Sequence, residues 1–300
     1  MKNAIETRGL TKSYDGIEAL REVDLSVGSG EVFGFLGPNG AGKTTTIRIL
    51  LDFIRPDSGE AEVLGLDAQE NSLDIRKNIG YLPEVSNVYS RLTGFKHLKF
   101  AKETKNADTD ISKVLERVGL FHDADKRAGT YSKGMKQRLC LGIALVGEPE
   151  LFILDEPTTG LDPNGARMVR EIVKEEKDRG ATVFFSSHIL EQVEKVSDRV
   201  GILKDGKIVA EDTIEGLRER TGRSSYMRIE VNEVPDLREL EGMEGVKSVE
   251  VEDNVIEIEA GRDVVRSEIF EVIERENTRI IDLRTKESSL DDIFAILTEK

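Results

Sequence analysis

The sequence predicts an α/β fold with an antiparallel β layer, a helical insertion and a small α+β domain at its C-terminal end. Three observations carry this. An apolar run, Val32-Phe33-Gly34-Phe35-Leu36, feeds a glycine loop that opens onto the apolar-periodic stretch Ile47-Arg48-Ile49-Leu50-Leu51. A second uninterrupted apolar run, Leu151-Phe152-Ile153-Leu154, has the character of a strand buried on both faces of a parallel sheet. Beyond residue 222 the pattern changes to strand, helix, strand, strand, helix, strand.

Taken in order, residues 4–10, 17–20 and 23–27 read as short strands separated by turn residues such as Asp15-Gly16 and Gly28-Ser29-Gly30, an antiparallel layer ahead of the loop. The loop is Gly37-Pro38-Asn39-Gly40-Ala41-Gly42-Lys43-Thr44-Thr45. Successive backbone N–H groups in such a loop, and the unpaired N–H groups of the following helix turn, converge on one anionic volume. Gly37, Gly40 and Gly42 leave room for a phosphate to come close to the backbone. The spacing G-x-x-x-x-G-K-T lets the Lys43 ammonium reach β- and γ-phosphates and the Thr44 hydroxyl ligate Mg²⁺. Tyr14, in a turn before the loop, either stacks on an adenine ring or packs on the sheet.

A strand near 60–64, a helix near 73–78 and a strand at 79–82, ended by Pro83, follow. From about 86 to 147 the pattern is helical, with segments at 95–105, 111–118 and 133–146. The α/β alternation then resumes: the strand at 151–154, a helix over 165–179, a strand at 182–186, a helix over 189–196, and strands at 200–203 and 207–210. The small polar run Thr221-Gly222-Arg223-Ser224-Ser225 marks a boundary between domains 1–222 and 223–300. In the second domain, strands are expected at 226–231, 246–251, 255–258 and 280–284, helices at 237–243 and 264–274, and an end helix from Leu290, a ferredoxin-like order.

The 300 residues carry a net charge of −15, without a Lys/Arg-rich block, which argues against nucleic acid or an anionic membrane face as the main partner. Residues 223–300, with 11 basic and 21 acidic side chains, hold most of that excess and no recognisable catalytic cluster. The single cysteine, Cys140, excludes internal disulfides and reads as a core filler. No apolar stretch approaches the roughly 20 residues of a membrane helix, and the N-terminus lacks an apolar signal core, so a cytosolic chain is expected.

The strand at 151–154 ends in Asp155-Glu156-Pro157. Two carboxylates at the tip of a buried strand are costly unless a cation or substrate meets them. Asp155 fits the acid that holds Mg²⁺ and Glu156 the group that polarises an attacking water.

With these residues in place, residues 4–220 resemble the ATP-binding subunit of an ABC transporter, of the drug-resistance and sodium-export type, and the resemblance implies a P-loop NTPase core of ABC type. The family signature, commonly Leu-Ser-Gly-Gly-Gln, is matched by Tyr131-Ser132-Lys133-Gly134-Met135, with Ser132 and Gly134 retained. Ser132 fits an N-cap with a hydroxyl for a phosphate, Gly134 permits close approach, and the helix start adds a second anion site. Lys133, where the family has Gly, argues against any geometry needing positive φ there.

By resemblance, Ser132 and Gly134 serve a neighbour's ATP in a head-to-tail homodimer. Asp162, in Thr159-Gly160-Leu161-Asp162, matches the loop that crosses the dimer interface, although capping of the helix beyond Pro163 explains it as well. His188 matches the switch histidine at the γ-phosphate; His97 and His122 have no such context. The position after Tyr81-Leu82-Pro83 is usually Gln and here is Glu84, which can still ligate Mg²⁺ but cannot donate amide hydrogen bonds.

The resemblance implies ATP and Mg²⁺ as cofactors and ATP hydrolysis that powers a separate integral membrane permease, an exporter, with the chain peripheral on the cytoplasmic face of the membrane. The helical insertion and residues 84–89 are then the docking surface. The alternatives are a soluble ATPase of the same type acting on ribosomes, DNA or metal-cluster assembly, and a regulatory module whose C-terminal domain binds an effector.

Overall fold

A computed structural model describes residues 2–220, 225–260, 266–274, 278–286 and 289–298. The chain divides into two compact units, Met1–Thr213 and Ile214–Lys300. The expected boundary at 222–223 lies outside the described residues, and the division between the units comes ahead of it, because a helix not expected from sequence, α8 (Ile214–Arg220), packs against the last helix of the chain.

In the first unit, β1 (Asn3–Tyr14) and β2 (Ile17–Gly28) form a long antiparallel hairpin. The sequence suggested two strands where β2 is one. Glu22 takes a φ of 50° and its N–H is satisfied by Thr11 Oγ1 at 3.2 Å, so a bulge carries the strand across the polar Arg21-Glu22 step. After β3 (Val32–Leu36) and α1 (Lys43–Leu50), β4 (Ser58–Val63) and β5 (Leu66–Asp67) join the hairpin in the order β2-β1-β4-β5.

Next come α2 (Ser72–Lys77), β6 (Ile79–Leu82) and the helical segment with α3 (Gly94–Lys105), α4 (Ile111–Arg117) and α5 (Lys133–Leu145). Capping explains where these helices begin: Thr93, Asp110 and Ser132 each accept a backbone N–H of the first turn through the side chain. His97 is buried, with Nε2 accepting from the Tyr89 N–H at 3.0 Å and Nδ1 2.8 Å from the Thr93 carbonyl, which gives it a packing role within this segment. Cys140 is buried in α5, as expected of a core filler.

The chain then alternates through β7 (Leu151–Asp155), α6 (Pro163–Asp178), β8 (Thr182–Ser187), α7 (Leu190–Glu194), β9 (Arg199–Lys204) and β10 (Lys207–Thr213). Helix α7 is shorter than the expected 189–196. The central sheet has the order β10-β9-β3-β8-β7-β6, parallel except for β10. Strands β3, β7 and β8 are buried along their whole length, which is why β3 and residues 151–154 of β7 read as unbroken apolar runs, whereas β8 buries Thr182, Ser186 and Ser187 beside its apolar centre. Phe33 and Phe35 pack on Phe184 with ring centroids 5.9 and 5.2 Å apart. This order places the ends of β3, β7 and β8 side by side, and the carboxyl ends of parallel strands are where such sheets bind ligands.

In the second unit, β11 (Ser225–Val231), α9 (Arg238–Glu241), β12 (Val246–Glu252), β13 (Val255–Ala260), α10 (Arg266–Glu274) and β14 (Ile280–Lys286) precede α11 (Leu290–Thr298). The sheet order β12-β13-β11-β14, antiparallel throughout, is the ferredoxin-like arrangement that the sequence predicts. Ile229, Ile256 and Ile258 from the sheet meet Ile269 and Ile273 of α10 in its core. The expected helix start at 264 and the linker residues 221–224 lie outside the described residues.

Candidate active site at the ends of three parallel strands

The loop after β3 holds its shape because side chains cannot fit where its glycines stand. A Cβ on Gly37 would lie 2.4 Å from the Leu203 carbonyl oxygen, and one on Gly42, whose φ is 113°, would lie 2.6 Å from that of Ala19. The chain therefore enters α1 with its first-turn N–H groups facing an open cavity of ≈ 240 Å³. Pro38, Asn39, Gly40, Gly42, Lys43, Thr44 and Thr45 line it, opposite Glu84 and Glu156, with Ala19 of β2 as one wall.

Lys43 is 6% exposed. Its Nζ donates to the carbonyls of Gly37 at 2.7 Å and Pro38 at 3.3 Å, and lies 3.6 Å from Glu156 Oε1. Thr44 Oγ1 donates to Asp155 Oδ2 at 3.1 Å, and Ser186 Oγ donates to Asp155 Oδ1 at 2.5 Å. The Glu156 N–H is held by the Ser186 carbonyl and hydroxyl, at 3.2 and 3.1 Å. Glu156 takes a φ of 50°, a conformation that a glutamate adopts at a cost of about 1 kcal/mol or more, and one that turns its side chain towards Lys43. His188 Nδ1 is 2.9 Å from Glu156 Oε2. Glu156 Oε1 is buried without a hydrogen-bond partner, an acceptor ready for a donor from the cavity.

Residues expected from sequence to act together are thus brought together: residues 37–45 with Glu84, Asp155, Glu156 and His188. Tyr14 is not among the residues that line the cavity. It is exposed near the hairpin tip, with the Lys12 ammonium 5.7 Å from its ring centroid. Ser186 escaped the sequence reading. Its signal was a serine at the end of an apolar strand, in register with Asp155 on the neighbouring strand.

A second concave patch lies at the start of α5, lined by Ser132, Lys133, Gly134, Met135, Arg138, Gly160, Leu161 and Asp162, and it shares no lining residue with the first. Ser132 caps α5 by accepting the Met135 N–H at 3.2 Å, which leaves its hydroxyl proton available. Lys133 is not among the residues with positive φ, so the departure from Gly there costs the backbone nothing. Asp162 caps α6 by accepting the Gly165 N–H at 2.7 Å, with Pro163 in the first turn.

Comparison with known proteins agrees with this geometry. The ABC transporter family matches residues 20–159, and the family described as "ATP-binding protein DrrA1-3-like, C-terminal domain" matches residues 213–297. The bacitracin transport ATP-binding protein BcrA of Bacillus licheniformis is 41% identical over 78% of this chain and 76% of its own length. The daunorubicin/doxorubicin resistance ATP-binding protein DrrA of Streptomyces peucetius is 33% identical over 98% of this chain and 92% of its own. A solved ATP-binding subunit of an ABC transporter superposes with a TM-score of 0.69 at 30% identity, covering 73% of this chain and 93% of that one. The chain is an ATP-hydrolysing cassette, a member of the ABC transporter ATP-binding family and of its drug-resistance exporter branch.

Proposed function

We propose that this chain powers an exporter by binding and hydrolysing ATP at two composite sites in a homodimer, each built from the residue 37–45 loop of one copy and the Ser132 patch of the other. The observation that supports this reading is the presence of two separate concave surfaces on one chain, each at a helix start. One holds Lys43 and Glu156, and the other is built on the capped start of α5 with Ser132, Lys133 and Gly134, beside Arg138 and Asp162.

Within the first surface, backbone N–H groups of residues 37–45 and the Lys43 ammonium hold the β- and γ-phosphates. The Thr44 hydroxyl and Asp155 carboxylate, hard oxygen donors 3.1 Å apart, fit Mg²⁺ that keeps most of its water, with Glu84 at the cavity wall as a further ligand. Mg²⁺ held by these residues would neutralise charge that develops on the phosphate oxygens. Glu156 polarises the attacking water through Oε1, and His188 holds the other carboxylate oxygen and contacts the γ-phosphate. Asp162 extends the second surface across the dimer interface. Tyr14, on the same hairpin as Ala19, stacks on the adenine beyond the cavity.

Among the described residues, no helix is long and apolar enough to cross a membrane. The relatives are named as ATP-binding proteins of transport and export systems, which supports a separate membrane-spanning permease as the partner that holds the chain at the cytoplasmic face. The names of the relatives, bacitracin transport, daunorubicin/doxorubicin resistance and fluoroquinolones export, support an exporter over a soluble ATPase acting on a macromolecule. Purification of the tagged chain from detergent-solubilised membranes of its native cell tests this. A polytopic protein co-purifying with ATPase activity is expected. Recovery from the soluble fraction alone, with activity stimulated by a soluble macromolecule, would overturn it.

A further inference from the structure

Gln137 lies in α5 just past the Ser132 patch and is 3% exposed. A buried primary amide must satisfy a donor and an acceptor at once. Here Nε2 donates to the Pro157 carbonyl at 3.3 Å, and Oε1 accepts from the Ser86 hydroxyl. The reverse orientation would set Oε1 against the Pro157 carbonyl, so the two contacts fix one orientation. The Cys140 thiol, one turn along α5, also meets the Ser86 hydroxyl.

These partners belong to the two segments that flank the catalytic cavity. Pro157 directly follows Glu156, whose φ of 50° needs support from its surroundings. On one side that support is Ser186; on the other, the carbonyl of the next residue is held by Gln137. Ser86 sits in the loop after β6, two residues beyond Glu84 at the cavity wall.

We propose that Gln137 is a positioning residue for catalysis. Its amide ties the Pro157 carbonyl, one residue beyond Glu156, to the Glu84 loop, through the helix whose first turn forms the second anion surface. Occupation of the Ser132 patch by one nucleotide then bears on the aim of Glu156 at the other. The inference rests on Glu156 being the group that polarises water. Methionine at 137 keeps the volume but has no amide, whereas glutamate can still accept from Ser86 but sets a carboxylate oxygen against the Pro157 carbonyl.

The test is steady-state ATPase kinetics of the full chain carrying Gln137→Met, Gln137→Glu, Ser86→Ala, Ser86→Ala with Gln137→Met, or Glu156→Gln, alongside titration with trinitrophenyl-ATP. Misplacing a catalytic group by a fraction of an ångström lowers kcat, so Gln137→Met and Gln137→Glu should each cut it by about tenfold, with KM and nucleotide affinity within about threefold of wild type. Ser86→Ala should give a smaller loss, and the double variant should be no worse than Gln137→Met. Wild-type kcat in Gln137→Met, or a kcat loss matched by equal losses in nucleotide affinity and melting temperature, would overturn the proposal. Should Gln137→Met fail to fold, Ser86→Ala on the half-buried loop decides, and an unchanged kcat there would overturn it. Turnover surviving in Glu156→Gln would instead remove the catalytic reading of Glu156 itself.

Discussion

The Lys43 ammonium lies 3.6 Å from Glu156 Oε1, and both side chains are 7% exposed. A lysine and a glutamate so deeply placed stabilise each other only imperfectly, since Glu156 Oε1 accepts no hydrogen bond. The pair is poised to be separated by a phosphate, which would take Lys43 and leave Glu156 facing water. Lys43→Ala should therefore weaken ATP binding by at least about 100-fold, the cost of leaving a multiply charged group without its cation in a recessed site. Isothermal titration with ATP checks this, and unchanged affinity would mean that the loop assignment is wrong.

Ser186 holds both members of the carboxylate pair, donating to Asp155 Oδ1 and accepting the Glu156 N–H. Ser186→Ala removes a charge-assisted bond from a buried carboxylate and should cost about 2 kcal/mol of stability, with a fall in kcat. Urea unfolding and ATPase assays on the same preparation measure the two effects.

Burial, and then the nearby Asp155 charge, push the Tyr81 phenol up to about 12. The folded state holds this proton more tightly than the unfolded chain does. The stabilisation is therefore complete below the unfolded value near 10 and is lost as pH rises from about 10 to 12. Tyr81→Phe should lose less stability than wild type over that window, as read from melting temperatures at pH 8, 10 and 11. Equal alkaline losses would contradict it.

Burial also raises the Cys140 thiol. It should stay unreactive towards a thiol reagent at pH 8 in the native chain and react fully in urea. Fast native labelling would show that α5 opens readily.

The parts of the fold legible in sequence were those that a local pattern determines. The strands at Val32–Leu36 and Leu151–Asp155 announce themselves because burial on both faces demands unbroken apolar runs. The helix starts at Ser132 and Asp162 were legible because capping is local chemistry. The bulge at Glu22 was not, since it depends on Thr11 across the hairpin. Nor were α8, the left-handed turn at Glu156 or the burial of Gln137. The residue before a proline is biased to extended backbone, and only the packing of β8 and α5 around residue 156 overrides that bias. Sequence motifs named most of the groups that line the cavity, and tertiary contacts supplied the groups that hold them in place.

The most direct measurement is light scattering on the eluting Glu156→Gln chain, with and without ATP and Mg²⁺. With turnover blocked, two composite sites should hold nucleotide and the 33.4 kDa chain should run as a dimer only when ATP is present. Adding Ser132→Arg, which fills the second anion surface, should return it to monomer. A monomer throughout, or a dimer indifferent to ATP and to Ser132→Arg, would contradict the shared-site account.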